Sequence, residues 1–273
     1  MLARQRQAYI VERVREDGGV RVADLVRDLA VSDMTIRRDL EYLHERGLLE
    51  KVHGGATSVA GSAMFEPGFV AKSTLQLGEK QAIADAAAAL VEPGMAIGIS
   101  AGTTTYAIAQ RLVALPGLTV VTNSPPVADV LHQAGRADQT IILTGGVRTP
   151  SDALVGPFAV AALQSVHLDM AFMGVHGMDA RSGFTTPNLL EAETDRVLVE
   201  AARRLVVVAD HTKWGVVGLS TIVGLSQADV LITDPGLSPE VHEMLSSIVG
   251  ELIVASPGAT ETVSSGRAGA RDP

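Results

Sequence analysis

Residues 22–56 read VADLVRDLAVSDMTIRRDLEYLHERGLLEKVHGGA, and their spacing decides the architecture of the first part of the chain. Val22, Leu25, Val26 and Leu29 fall at offsets of 0, 3, 4 and 7, the stripe of an amphipathic helix. Ala30-Val31 leaves room for a short turn. Ser32 is then placed to cap a further helix, and Asp33 suits the positive end of its dipole. Ile36, Leu40 and Leu43 give that helix its buried stripe, while Thr35, Arg37, Arg38 and Asp39 are assigned to its outward face. Gly47 ends it, and Leu48 to Val52 followed by His53-Gly54-Gly55 reads as a short β-hairpin. Upstream, Leu2, Ile10 and Val14 share one face of a first helix that should stop at Gly18-Gly19. Two helices joined by a tight turn, the second basic on its free face, with a hairpin behind them, make a winged helix-turn-helix. Ser32, Thr35, Arg37 and Arg38 then offer hydroxyl and guanidinium donors to a major groove, where arginine can hold guanine through two bonds. An Arg-Arg pair alone reads as a solvated helix face; the complete arrangement is what points to DNA.

The same stretch closely resembles the amino-terminal signature of the DeoR family of bacterial transcriptional regulators. Its S-x-x-T-I-R-R-D-L core and terminal H-G-G-A are both present without gaps. The resemblance implies DNA contacts by Ser32, Asp33, Met34, Thr35, Arg37 and Arg38, and by His53 and Gly54 of the hairpin.

The whole chain has 273 residues, no cysteine, 47% hydrophobic residues and a formal net charge of −9. It is too apolar for a disordered polypeptide and long enough for two unequal domains. Without cysteine there is no disulfide framework, thiolate nucleophile or thiolate metal site. The charged amino terminus lacks the apolar core of a secretory signal, and no run of residues reaches membrane-span length, so a cytoplasmic protein is expected. An excess of nine negative charges argues against a polyanion partner only if it is evenly spread. Residues 1–57 hold ten basic and ten acidic side chains, so the remainder carries the entire excess. Within the neutral segment the first 15 residues hold Arg4, Arg6, Arg13 and Arg15 against Glu12 alone, a local +3 available to phosphates. The small, uncharged run from Ser58 to Met64, with Pro67-Gly68 behind it, reads as a linker. The expected division is therefore a winged helix-turn-helix at 1–57, a linker at 58–71, an α/β sensing domain at 72–256 and a disordered tail at 257–273.

In the second part, strands are expected at Ala96-Ser100, Thr119-Thr122, Thr140-Thr144, Leu168-Met173, Leu205-Ala209, Val230-Thr233 and Leu252-Ala255, with helical patterns between most of them. Alternation of that kind indicates a mostly parallel sheet covered on both faces, with ligands bound beyond the carboxyl ends of its strands. Ser100, Gly102, Thr103 and Thr104 follow the first strand and open a helix, which suits an anion. Asn123 follows the second strand, Gly145-Gly146 the third, and Asp210 and Lys213 a later one; Lys72 and Lys80 precede the first. Three of the four lysines in the chain thus fall where they can serve one phosphorylated ligand. Singly, each feature has an ordinary reading as a cap, a turn or a solvated charge.

The resemblance extends through this half in EKQAIADAAAALVEPGMAIGISAGTTT, VVTNS, LTGG, FMGVHGMD and ADHTKWG. They look like the DeoR sensor domain, which is related to ribose-5-phosphate isomerase and usually senses a phosphorylated sugar or other catabolic intermediate. The family commonly has aspartate where this chain has Ser100.

Two enzymatic readings compete. Gly98-Ile99-Ser100-Ala101-Gly102 matches the G-x-S-x-G nucleophile elbow, His53-Gly54-Gly55 imitates the oxyanion loop, and Asp210 and His242 stand in triad order, but a hydrolase needs several core strands ahead of that loop and the chain before His53 holds three short helices and half a hairpin. An isomerase would need a base at the substrate carbon, for which Glu191, Glu193 and Asp210 are available. Neither reading is preferred, and no metal or cofactor site is expected. The expectation is a homo-oligomeric regulator, dimer or tetramer, that represses a carbohydrate operon and releases operator DNA when a phosphorylated sugar binds; a transcriptional activator of the same type is the alternative.

Overall fold

The computed structural model describes residues 2–17, 19–52, 54–57, 68–256 and 259–263. Two compact units divide after Leu75.

The first unit contains α1 (Ala3–Asp17), β1 (Gly19–Arg21), α2 (Val22–Leu29), α3 (Asp33–Glu45), β2 (Glu50–Val52), β3 (Gly55–Thr57) and the short α4 (Phe69–Lys72). Its core is built from Ile10, Val11 and Val14 of α1, Val22 and Leu25 of α2, Ile36, Leu40 and Leu43 of α3, and Leu49 and Ala56 of the wing. Leu2 does not join the stripe assigned to it: it precedes the helix and is exposed. The wing also has a strand that spacing did not reveal. β1 pairs antiparallel with the far side of β3, giving the order β1-β3-β2. Three residues are too few to show a period. Most of the expected linker lies outside the described residues, and its last part differs from expectation, since α4 begins at Phe69.

The second unit is built on an eight-stranded sheet in the order β16-β15-β14-β12-β9-β4-β5-β6. In chain order its elements are α5 (Leu77–Ala88), β4 (Ala96–Ile99), α6 (Thr103–Leu112), β5 (Thr119–Thr122), α7 (Pro125–Gln133), β6 (Thr140–Leu143), β7 (Val147–Arg148), β8 (Leu154–Val155), α8 (Pro157–Gln164), β9 (Met170–Gly174), β10 (Gly177–Asp179), β11 (Gly183–Thr186), α9 (Leu189–Glu200), β12 (Leu205–Val208), β13 (Ser220–Val223), β14 (Val230–Thr233), α10 (Pro239–Ile248), β15 (Glu251–Ser256) and β16 (Ala259–Val263). β4, β5, β6, β9, β12, β14 and β15 run parallel. Alternation along them fills two layers: Val206, Val208 and Ile232 face α5 and α6, while Leu205, Val207 and Leu231 face the opposite cluster with Leu245 of α10.

β16 returns antiparallel on β15, so the expectation of a disordered tail does not hold over 259–263; the rest of that tail lies outside the described residues. An open strand edge offers unpaired backbone groups to any segment of suitable length, whether or not it has an apolar face. A smaller sheet, β10-β11-β13, was also unforeseen. Among the described residues no helix is long and apolar enough to cross a membrane.

The strand order places the site. From β4 the chain moves outward through β5 and β6, then returns to the other side of β4 for β9, β12, β14 and β15. The reversal occurs between β4 and β9, and in open parallel sheets the crevice at such a point binds ligands.

Candidate functional site

In the first unit, α3 carries the residues expected at DNA. Ser32 caps it, its Oγ accepting from the Thr35 N–H at 3.2 Å and lying 2.8 Å from Thr35 Oγ1. Asp33 and Arg37 form a two-point pair one turn apart, Nε to Oδ1 at 2.5 Å and Nη2 to Oδ2 at 3.3 Å. That hydrogen bond, and then the charge of Asp33, push the Arg37 pKa further above its ordinary value. Arg38 is exposed and has no partner among the described residues, and Met34 is also exposed. Lys51 of β2 pairs with Glu41 of α3, tying the wing to the helix, and the Gly54 carbonyl accepts from the Val22 N–H at 2.9 Å. His53 lies outside the described residues.

Two expectations are overturned here. Asp39 does not belong to the outward face; it is buried, at an offset of three from Ile36, within the inward stripe. Its charge outweighed its position in the sequence reading. Its partners are Arg6 Nε at 2.5 Å and Gln7 Nε2 at 2.8 Å, so Arg6 is buried in an ion pair and is not available to a phosphate.

In the second unit, the strand ends gather most of the other expected residues. Ser100, buried behind β4, accepts from the Gly174 N–H of β9 at 3.0 Å and so bridges the two sides of the reversal. Asn123, behind β5, accepts from the Ala101 N–H at 3.1 Å and donates to the Leu154 carbonyl at 3.3 Å. These bonds fix the loop that ends in Gly102, from which Thr103, Thr104 and Thr105 open α6. Thr104 and Thr105 are buried, with Thr105 Oγ1 donating to the Gly102 carbonyl at 3.0 Å. Thr103 is half-buried at the helix end, where the dipole favours an anion. Lys72 is on α4 and belongs to the first unit.

Asp210 follows β12 and is buried, capping the short turn His211–Lys213 by accepting from the Thr212 N–H at 3.1 Å and from the Thr212 hydroxyl. Burial alone pushes its pKa up. Lys213, the Thr212 hydroxyl, Lys80 and His211 together outweigh that and hold it below the usual carboxylate value. The charges of Lys80 of α5 and Lys213 therefore both act on one carboxylate, although 133 residues separate them. A carboxyl group with a depressed native pKa stabilises the fold above its unfolded pKa and loses that contribution as pH falls through the native value. Stability should thus decline from about pH 4 downward. In Asp210→Asn the decline should be shallower, as read from urea unfolding midpoints across that range; an unchanged slope would remove Asp210 from the account.

Gly145 and Gly146 lie between β6 and β7. Gly146 has φ +127°, and a Cβ there would meet the Val155 carbonyl oxygen at 2.5 Å. Gly146→Ala should cost about 1–3 kcal/mol for the backbone conformation alone, with a further cost from parting β7 and β8. A calorimetric melt of the second unit at the wild-type temperature would contradict this.

Sequence reasoning missed two features. His211 donates its backbone N–H to Asp234 Oδ1 at 2.6 Å and sets its ring Nδ1 2.7 Å from Asp234 Oδ2, which anchors the turn that carries Lys213. The signal was a carboxylate directly after β14, in the same post-strand position as Asp210. Glu191, considered only as a possible base, is buried and accepts from Thr149 Oγ1 at 2.6 Å, Thr186 Oγ1 at 3.3 Å and the Ser151 hydroxyl. Ser100 has no histidine partner among the described residues, so the elbow motif lacks the geometry of an activated nucleophile.

The family model of the DeoR-like helix-turn-helix domain matches residues 6–61, and that of the DeoR C-terminal sensor domain matches residues 75–235. The HTH-type transcriptional regulator YgbI of Escherichia coli K12 is 39% identical over 93% of this chain and 99% of its own. The glycerol-3-phosphate regulon repressor of the same organism is 32% identical over 89% of this chain and 95% of its own. Ribose 5-phosphate isomerase A of Methanocaldococcus jannaschii aligns over 68% of this chain and 98% of its own at 14% identity, with a TM-score of 0.40.

Proposed function

The chain belongs to the DeoR family and is a DNA-binding transcriptional regulator, not an enzyme; from that premise we propose that it represses a carbohydrate operon and releases it when a phosphorylated sugar occupies the strand-end site. The observation that carries the effector reading is that the charges of Lys80 and Lys213 both act on Asp210, on the same edge of the sheet as the amino terminus of α6. The half-buried Lys213 ammonium and a helix end suit a phosphate, while the buried Lys80 supports Asp210. Asp210, Asn123 and the threonine hydroxyls suit the hydroxyl groups of a sugar. Ser100, already accepting from Gly174, contributes to the shape of the loop. Gly145 leaves room for close approach and Gly102 nearly so, whereas the space beside Gly146 is taken by the Val155 carbonyl.

On α3, Arg38 is the base reader, with Ser32, Thr35 and the Asp33–Arg37 pair beside it and Gly54 at the wing, to which the sequence adds His53. The protein acts in the cytoplasm as a homo-oligomer, dimer or tetramer, because paired half-sites supply the affinity that one neutral reading unit lacks. The effector must bind the DNA-incompetent state more tightly, since equal affinity for both states shifts nothing.

The test is a thermal-shift screen with phosphorylated and free sugars, followed by fluorescence anisotropy of labelled operator DNA with each hit. A phosphorylated sugar that raises the melting temperature and releases the DNA is the expected result. Stabilisation by free sugars alone would overturn the phosphate reading, and a hit that tightens DNA binding would favour the activator.

A further inference from the structure

Asp39 occupies an inward position on α3 and carries a charge there. A buried carboxylate is tolerated only when paired and hydrogen-bonded, and here both oxygens are engaged by consecutive residues of α1: Oδ2 by Arg6 Nε at 2.5 Å and Oδ1 by Gln7 Nε2 at 2.8 Å. The side chains of Arg6 and Asp39 are only 10% and 6% exposed, so neither can reach DNA without leaving the other.

Buried ion pairs are poor stabilisers, and apolar pairs of similar volume often serve stability as well or better. What the pair supplies is direction. Ile36, Leu40 and Leu43 pack through non-directional contacts that tolerate a small rotation of α3 about its axis. Two hydrogen bonds to the two oxygens of one planar carboxylate do not tolerate it. Asp39 directly follows Arg38, so any rotation it prevents is a rotation of the neighbouring guanidinium.

We propose that Arg6, Gln7 and Asp39 are positioning residues for DNA recognition: they lock the rotation of α3 so that Arg38 meets base edges, and Arg6 makes no phosphate contact. This rests on α3 being the reading helix.

The probe is a duplex selected from a randomised pool by the wild-type protein, measured against a scrambled duplex of the same composition. The test variant is Arg6→Met/Asp39→Leu, with Arg38→Ala as control. The double variant is expected to melt at or above the wild-type temperature. Its preference for the selected duplex should fall about tenfold, the size of one misread base pair. The slope of log affinity for the scrambled duplex against log salt should stay at the wild-type value. Recovery of both melting temperature and preference would overturn the proposal, as would a slope shallower by about 0.9, the mark of one lost phosphate contact. Gln7→Leu keeps the ion pair and guards against a double variant that does not fold. It should lose part of the preference and melt somewhat lower, because Asp39 Oδ1 is left without its partner, and full preference would likewise overturn the proposal. If Arg38→Ala binds like the wild type, the reading helix itself has been misassigned, which is a different failure.

Discussion

Arg38→Ala should weaken operator binding about 10- to 100-fold at fixed salt, the loss expected when a two-bond guanine contact is removed. Arg38 is exposed, has no partner among the described residues and follows a cap that fixes the start of α3. Contact with DNA would therefore cost it no existing partner, and its removal should leave the melting temperature unchanged. Arg37→Ala should cost less, because Arg37 must relinquish or share Asp33 to contact DNA. Fluorescence anisotropy on the selected duplex compares the two. Equal losses would mean that the Asp33 pair persists in the complex and carries Arg37 with it, and normal affinity for both variants would end the assignment of α3.

Lys213→Ala should abolish the effector response and leave DNA binding intact. A charge-assisted hydrogen bond is worth about 1.5–3 kcal/mol, so affinity for a phosphorylated effector should fall about 10- to 150-fold. A ligand at a hundred times its dissociation constant stabilises the wild type by about 2.7 kcal/mol; a hundredfold weaker site retains about 0.4 kcal/mol of that. Lys213 also supports Asp210, so the unliganded variant should melt slightly lower. Thr103→Ala, which leaves that carboxylate untouched, should lose part of the response with no such change. A Lys213→Ala protein released from DNA at the wild-type effector concentration would exclude the lysine from the site.

The parallel strands of the second unit were legible because each is a short apolar run, β-branched in all but β9, and all seven appear within two residues of their expected ends. The post-strand positions followed from them. The small sheet β10-β11-β13 was not legible: Gly177 and Gly183 interrupt the pattern, and Thr185 and Thr186 of β11 are buried by tertiary contacts that no local period reports. Lys80 shows another limit. A lysine in the first turn of a helix ordinarily faces solvent, and the charge of the distant Asp210 helps to make its burial tolerable. Asp39 is the opposite case, since its place in the repeat already marked it as inward.

Each unit fills its own core. The cluster around Ile10, Leu25, Ile36 and Leu43 draws only on the first unit, and those around Ile97, Phe172 and Leu231 only on the second. Descent with modification can therefore proceed on two separate ledgers. A lineage can exchange the side chains at its strand ends while the packing that holds α3 stays as it was. It can equally retarget α3 to new genes and keep an old signal. Duplicated copies diverging in this way would build a repertoire of regulators from one scaffold.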